Sequence, residues 1–180
     1  MPPAMTLDPP RDDPQQRIAE LSALYEAARA LIGARDRAQV AARVVLTGMG
    51  SLGVRSGALF ADDEHGRFRL LYATGLDGSP RSESLIVPAA AREWMLREGT
   101  FALGSAAAGR ALGPLRDRLA TQYDAVVGAA VSDPHGLLAI IVFGPHLLEE
   151  SAAAASVLEP LAALTAQALA SRPARAEGRP

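Results

Sequence analysis

The stretch over residues 125–143 limits this chain's folding options more than any other. Residues 125–132 and 137–143 are apolar runs flanking Asp133-Pro134-His135-Gly136, a turn-forming string that joins two strands as a hairpin. Neither run alternates cleanly between apolar and polar residues. Val126, Val127, Leu138, Ile140 and Ile141 set apolar groups on both faces, so the hairpin belongs mid-sheet, covered on both sides. Antiparallel strands with helices on the faces of the sheet are the architecture this requires.

The rest of the chain supplies those pieces. Asp13, Pro14 and Gln16 form a helix start, and Ile18, Leu21, Tyr25, Ala28 and Ile32 follow at helical spacing until Gly33. A second start stands at Asp36 with Gln39 three residues on; Val40, Val44, Val45 and Met49 form its stripe, with Gly50 and Gly53 as stops. The period then changes. Residues 57–61 and 68–74 read as strands joined by a polar turn, and residues 84–87 as a third strand ended by Pro88. Residues 90–97 form a short helix carrying Trp94, and residues 101–103 a brief strand. Residues 104–124 are a loop with one or two helical pieces, of which 115–122 is the firmest. An Ala-rich helix over about 150–170 closes the chain, with a kink or restart expected at Pro160. Residues 14–171 are expected to form a single domain, between disordered tails at 1–13 and 172–180.

Composition removes several chemistries. Cys is absent, which excludes disulfides, thiolate nucleophiles, zinc–thiolate sites and iron–sulfur clusters. All 18 basic residues are Arg and the net charge is −2 with both signs interspersed, so nothing attracts nucleic acid. No apolar stretch reaches the length of a membrane span, and the N-terminus has no signal-peptide pattern. The expectation is a cytoplasmic, bacterial-type protein that binds neither nucleic acid nor membrane.

The order of elements, and several strings within it, resemble the GAF family. LSALYEAARALI (21–32) looks like the family's first helix, and SGALFAD (56–62) with FRLLYATGL (68–76) like its first hairpin. EWMLREGTFAL (93–103) is similar to its mid-domain helix and following strand, and GLLAIIVFG (136–144) to its closing strand. The resemblance implies an α+β fold: an antiparallel sheet of five or six strands, with the N- and C-terminal helices on one face and a mid-domain helical segment over a ligand cavity on the other. It also implies a signalling role, dimerisation through the terminal helices, and ligands that differ among members. The chain lacks the Asn and Lys of the cyclic-nucleotide signature. It also lacks the Cys used for covalent bilin attachment and by the methionine sulfoxide reductase branch.

Two strings imitate nucleotide motifs. Residues 48–53 spell G-x-G-x-x-G, but a helix precedes them and a strand follows, the reverse of a dinucleotide site. Residues 104–111 have P-loop glycine spacing, yet Arg110 replaces the Lys and Ala111 the hydroxyl residue. His65, His135 and His146 are scattered over turns and loops and make no metal site. The candidate ligand-binding residues are Trp94, Phe101, Tyr123 and Arg110, with Arg92, Arg97 and Arg116 as further anion contacts. Leu21, Leu24, Ala28 and Leu31 on the first helix, with Leu158, Leu161, Leu164 and Leu169 on the last, offer stripes of which one from each covers the sheet and any surplus suits homodimer packing; the alternative is a monomer whose small residues fit the sheet. No catalytic constellation assembles. The expected function is a non-catalytic sensory domain coupling a small ligand of unknown identity to a signalling partner. A ligand-free dimerisation or scaffold module is the alternative, and a small enzyme a third.

Overall fold

The computed structural model describes residues 31–63, 66–76, 84–145 and 151–171, together with residues 18, 21, 22, 25, 26, 28 and 29. The expected tails, the capping residues Asp13, Pro14 and Gln16, and His65 and His146 lie outside the described residues. The residues described between 18 and 31 are helical and form the leading helix. Helix α1 (Arg37–Leu52) follows, with the Asp36 side chain accepting from the Gln39 N–H, as its sequence signature requires. Gly50 does not stop it. The helix runs on to Gly53, whose left-handed backbone (φ 64°) turns its N–H back onto the Met49 carbonyl.

Six strands build one antiparallel sheet in the order β3-β2-β1-β6-β5-β4. They are β1 (Ser56–Asp62), β2 (Arg67–Thr74), β3 (Ser84–Ile86), β4 (Thr100–Ala102), β5 (Val127–Asp133) and β6 (Gly136–Gly144). Between β3 and β4 stands α2 (Ala89–Glu98); α3 (Ala106–Leu112) and α4 (Pro114–Gln122) fill the stretch before β5. Helix α5 (Ser151–Ala170) closes the fold. Pro160 lies inside it and no restart follows, because buried Leu158 and Leu161 on either side hold that stretch against the sheet. Among the described residues no helix is long and apolar enough to cross a membrane.

The β5–β6 hairpin sits in the middle of the sheet, as its two-sided apolarity demands. Its turn is tied by Asp133, whose carboxylate accepts from the N–H groups of His135 and Gly136. The two faces of the sheet carry separate cores. On the helix side, α1 and α5 pack over Leu59, Ala139, Ile141 and Phe143. On the roof side, α2, α3 and α4 pack over Ala58, Phe60, Ile140 and Val142.

Phe143 dictates how closely α1 approaches. It is fully buried and pairs across strands with Gly57. A Cβ on Gly57 would stand 2.8 Å from its ring, and one on Gly48 in α1 only 2.3 Å. Two glycines thus clear the volume of one aromatic ring, which lets helix and sheet close at native density. Gly48 is therefore a packing residue, and the G-x-G-x-x-G string forms the last turns of α1 and its Gly53 cap, with β1 after it.

Candidate functional site

Of the four residues singled out in the sequence, the fold brings three together on the roof side. Trp94, Phe101 and Tyr123 are all buried in the roof core. Trp94 tilts against Phe101 with ring centroids 5.7 Å apart, and Tyr123 meets Phe60 edge-on at 4.8 Å. Around them Leu85, Met95, Leu112, Leu119 and Ile140 are almost wholly buried. Arg110 stands apart, exposed on α3. Arg97 and Arg116 are held by their chain neighbours, Arg97 to Glu98 at 3.3 Å and Arg116 to Asp117 at 2.8 Å.

The P-loop-like string folds into the start of α3. The Ser105 hydroxyl accepts from the Ala108 N–H, and its carbonyl from the Gly109 N–H. Those donors serve the helix and are not aimed at an anion. His135 is exposed in the β5–β6 turn. Among the described residues, no group of three His, Asp or Glu side chains is placed to hold a metal ion.

Among the described residues, two buried side-chain polar atoms, Asp62 Oδ1 and Arg92 Nε, have no hydrogen-bond partner. Asp62 ends β1 and pairs in register with Phe68; the Arg92 guanidinium lies 5.8 Å over the same Phe68 ring. Sequence reasoning named Arg92 among several arginines and read Asp62 as a turn residue. The signal it missed is phase: Asp62 continues the alternation of Ala58 and Phe60, both roof-side residues.

On the opposite layer the leading helix exposes what a lone subunit would bury. Ile18, Leu21, Tyr25 and Ile32 are 61–75% exposed and fall within a sector of roughly 60° at 100° per residue. Beside that stripe, Glu26 and Arg29 face Leu46, Thr47, Gly50 and Ser51 of α1 across a groove of about 460 Å³.

An open six-stranded antiparallel sheet with α1 and α5 on one face and α2, α3 and α4 on the other is a GAF-like fold, and the solved structures agree. The GAF domain of a phosphoenolpyruvate-protein phosphotransferase from Coxiella burnetii is 22% identical, covers 86% of this chain and 94% of its own, and superposes with a TM-score of 0.63. A fragment of a methyl-accepting chemotaxis protein is 12% identical, covering 83% of this chain and 97% of its own at a TM-score of 0.62. The free methionine-R-sulfoxide reductase from Neisseria meningitidis, solved with its substrate, is also 12% identical, covering 93% and 96% at a TM-score of 0.63. No protein-family model matches the sequence, and no curated protein matches it. At these identities the likeness defines the fold.

Proposed function

We propose that this chain is a non-catalytic regulatory module of a bacterial signalling protein, which binds a small ligand as a homodimer and passes the signal to a partner protein. The observation that carries the reading is the exposed apolar stripe Ile18–Leu21–Tyr25–Ile32 on a GAF-like fold. Four large apolar side chains on one exposed ridge call for a partner surface, and a two-fold pairing of leading helices covers the same ridge on both copies. The GAF domain and the chemotaxis fragment lend the signalling context. The reductase is the enzymatic counterexample on this fold. Against it stands a chain without a single Cys.

A second reading, a dimerisation or scaffold module without ligand, draws on the tight packing beneath α2, α3 and α4. Two measurements separate the readings. Sedimentation velocity on the full chain gives a dimer under both, and Leu21→Asp with Tyr25→Glu gives a folded monomer; a monomeric wild type overturns the dimer. A thermal-shift screen over nucleotides, nitrogen oxyanions, haem and small metabolites gives at least one stabilising ligand under the first reading. Silence across that screen leaves the scaffold.

A further inference from the structure

The exposed ridge of the leading helix has a register as well as a polarity. Ile18, Leu21, Tyr25, Ala28 and Ile32 follow one another at intervals of three, four, three and four, the alternation of a and d positions in a coiled-coil seam. The Ile32 N–H still donates to the Ala28 carbonyl at 3.2 Å, so helical spacing holds to the last of them. Leu31 is buried in the helix-side core and fixes the rotation of the helix. The four large members of the series then stand 61–75% exposed, and small Ala28 between Tyr25 and Ile32 is half-buried.

Sizes and charges say which helix covers this seam, and in which direction. In a parallel pair each residue meets its own copy, so Tyr25 crowds Tyr25 and Ala28 faces Ala28 across a gap. In an antiparallel pair an a position meets a d position. Tyr25 then falls opposite the partner's Ala28, and Leu21 opposite the partner's Ile32, each twice across the two-fold axis. Large meets small, and the layers fill evenly. Glu26 and Arg29 stand on one flank of the seam, where they line the groove against α1 with Leu46, itself 53% exposed. Antiparallel pairing brings like flanks together, which sets Glu26 of each copy beside the partner's Arg29. Parallel pairing sets that flank against the side of buried Leu31, an apolar neighbour for two charges.

We infer that two copies of this chain pair through an antiparallel seam of their leading helices, Tyr25 of each seated on the partner's Ala28 and Glu26 beside the partner's Arg29. The inference rests on the homodimer reading above and assigns its direction and register. The helix N-termini of the two copies then point apart, so the pair does not pass a signal along one continuous parallel coil. The chain has no Cys, so a single Cys substitution reports contacts against an empty background. Leu21→Cys and Ile32→Cys chains are oxidised, or bridged with a short bis-maleimide, each alone and as an equal mixture. The mixture gives at least tenfold more linked dimer than either chain alone, because each position lies about 16 Å along the seam from its own copy. Glu26→Arg mixed with Arg29→Glu gives at least fivefold more mixed dimer than either homodimer in native mass spectrometry. That arm covers the case in which a Cys change weakens the pair.

Leu21→Cys that links to itself as well as to Ile32→Cys marks a parallel or shifted seam and overturns the inference, while the dimer stands. A wild-type dimer that no Cys on the leading helix links, with no preference in the charge mixture, also overturns it and moves the interface off this helix. A wild type that stays monomeric in sedimentation velocity sinks this inference and the dimer reading together. The ridge is then left to a helix of a different protein.

Discussion

Gly48 and Gly50 lie two residues apart in α1, and the same substitution at each should act with opposite sign. Replacing Gly by Ala inside a helix removes backbone entropy from the unfolded chain and gains about 1 kcal/mol. At Gly50 a new Cβ meets nothing within 4 Å, so the whole gain appears; for a chain of this size it raises Tm by about 2–4 °C. At Gly48 the new Cβ stands 2.3 Å from Phe143 Cζ, 2.9 Å from its Cε1 and 3.0 Å from Leu161 Cδ2. Carbon atoms rest at about 3.5–4.0 Å, so a wholly buried ring must retreat by more than an ångström. Gly57 borders the same edge of the ring, at Cδ1 and Cε1, so that edge has no slack to give. Overpacking of this kind costs about 1–3 kcal/mol, at the upper end here, and the net loss is about 1–2 kcal/mol. Urea denaturation with unchanged m-values is the assay. Phe143→Leu then supplies the cross-check: in that background Gly48→Ala loses most of its penalty, as a double-mutant cycle reveals. If Gly48→Ala is as stabilising as Gly50→Ala, the claim that two glycines are required by the Phe143 ring is wrong.

Asp36→Ala removes the α1 cap and lowers stability by about 1 kcal/mol, read as a fall in the urea midpoint. Trp94→Ala in the roof core costs about 3–5 kcal/mol in the same assay. Trp94 is the sole tryptophan, so wild-type fluorescence tracks the roof core alone and should unfold in step with circular dichroism; a separate, earlier transition would show the roof as an independent unit. Leu21→Asp raises the concentration at which dimers form, measured by sedimentation, without lowering helix content, because Leu21 is 61% exposed in the lone subunit.

Local chemistry was legible and long-range facing was not. The turn at residues 133–136, the Asp36 cap and the two-sided hairpin follow from neighbouring residues, and each stands where its signature places it. The leading helix shows the limit. Its spacing was readable, but it has more than one apolar stripe, and only tertiary packing decides which turns inward. Leu31 is buried, while Ile18, Leu21 and Tyr25 face out. The aromatics Trp94, Phe101 and Tyr123 were conspicuous because the chain has so few, and the fold joins them in one core. Arg92 was legible only as one arginine among several and its neighbourhood with Asp62 not at all, because 30 residues separate them and only the pairing of β1 with β2 and the placement of α2 bring both to Phe68.

That corner is also where sensing and scaffolding make opposite demands on the same residues. A scaffold has no use for a carboxylate oxygen and a guanidinium nitrogen, Asp62 Oδ1 and Arg92 Nε, that are shielded and meet no partner; apolar residues of similar volume there would raise its stability. The comparison between Asp62→Leu/Arg92→Met and wild type, each without ligand, therefore bears on function. A double variant more stable than wild type, by a Tm several degrees higher, means that the pair weakens the fold and is kept for something that arrives from outside. A double variant less stable than wild type means that the two charges are structural, and the case for sensing then rests on the ligand screen alone.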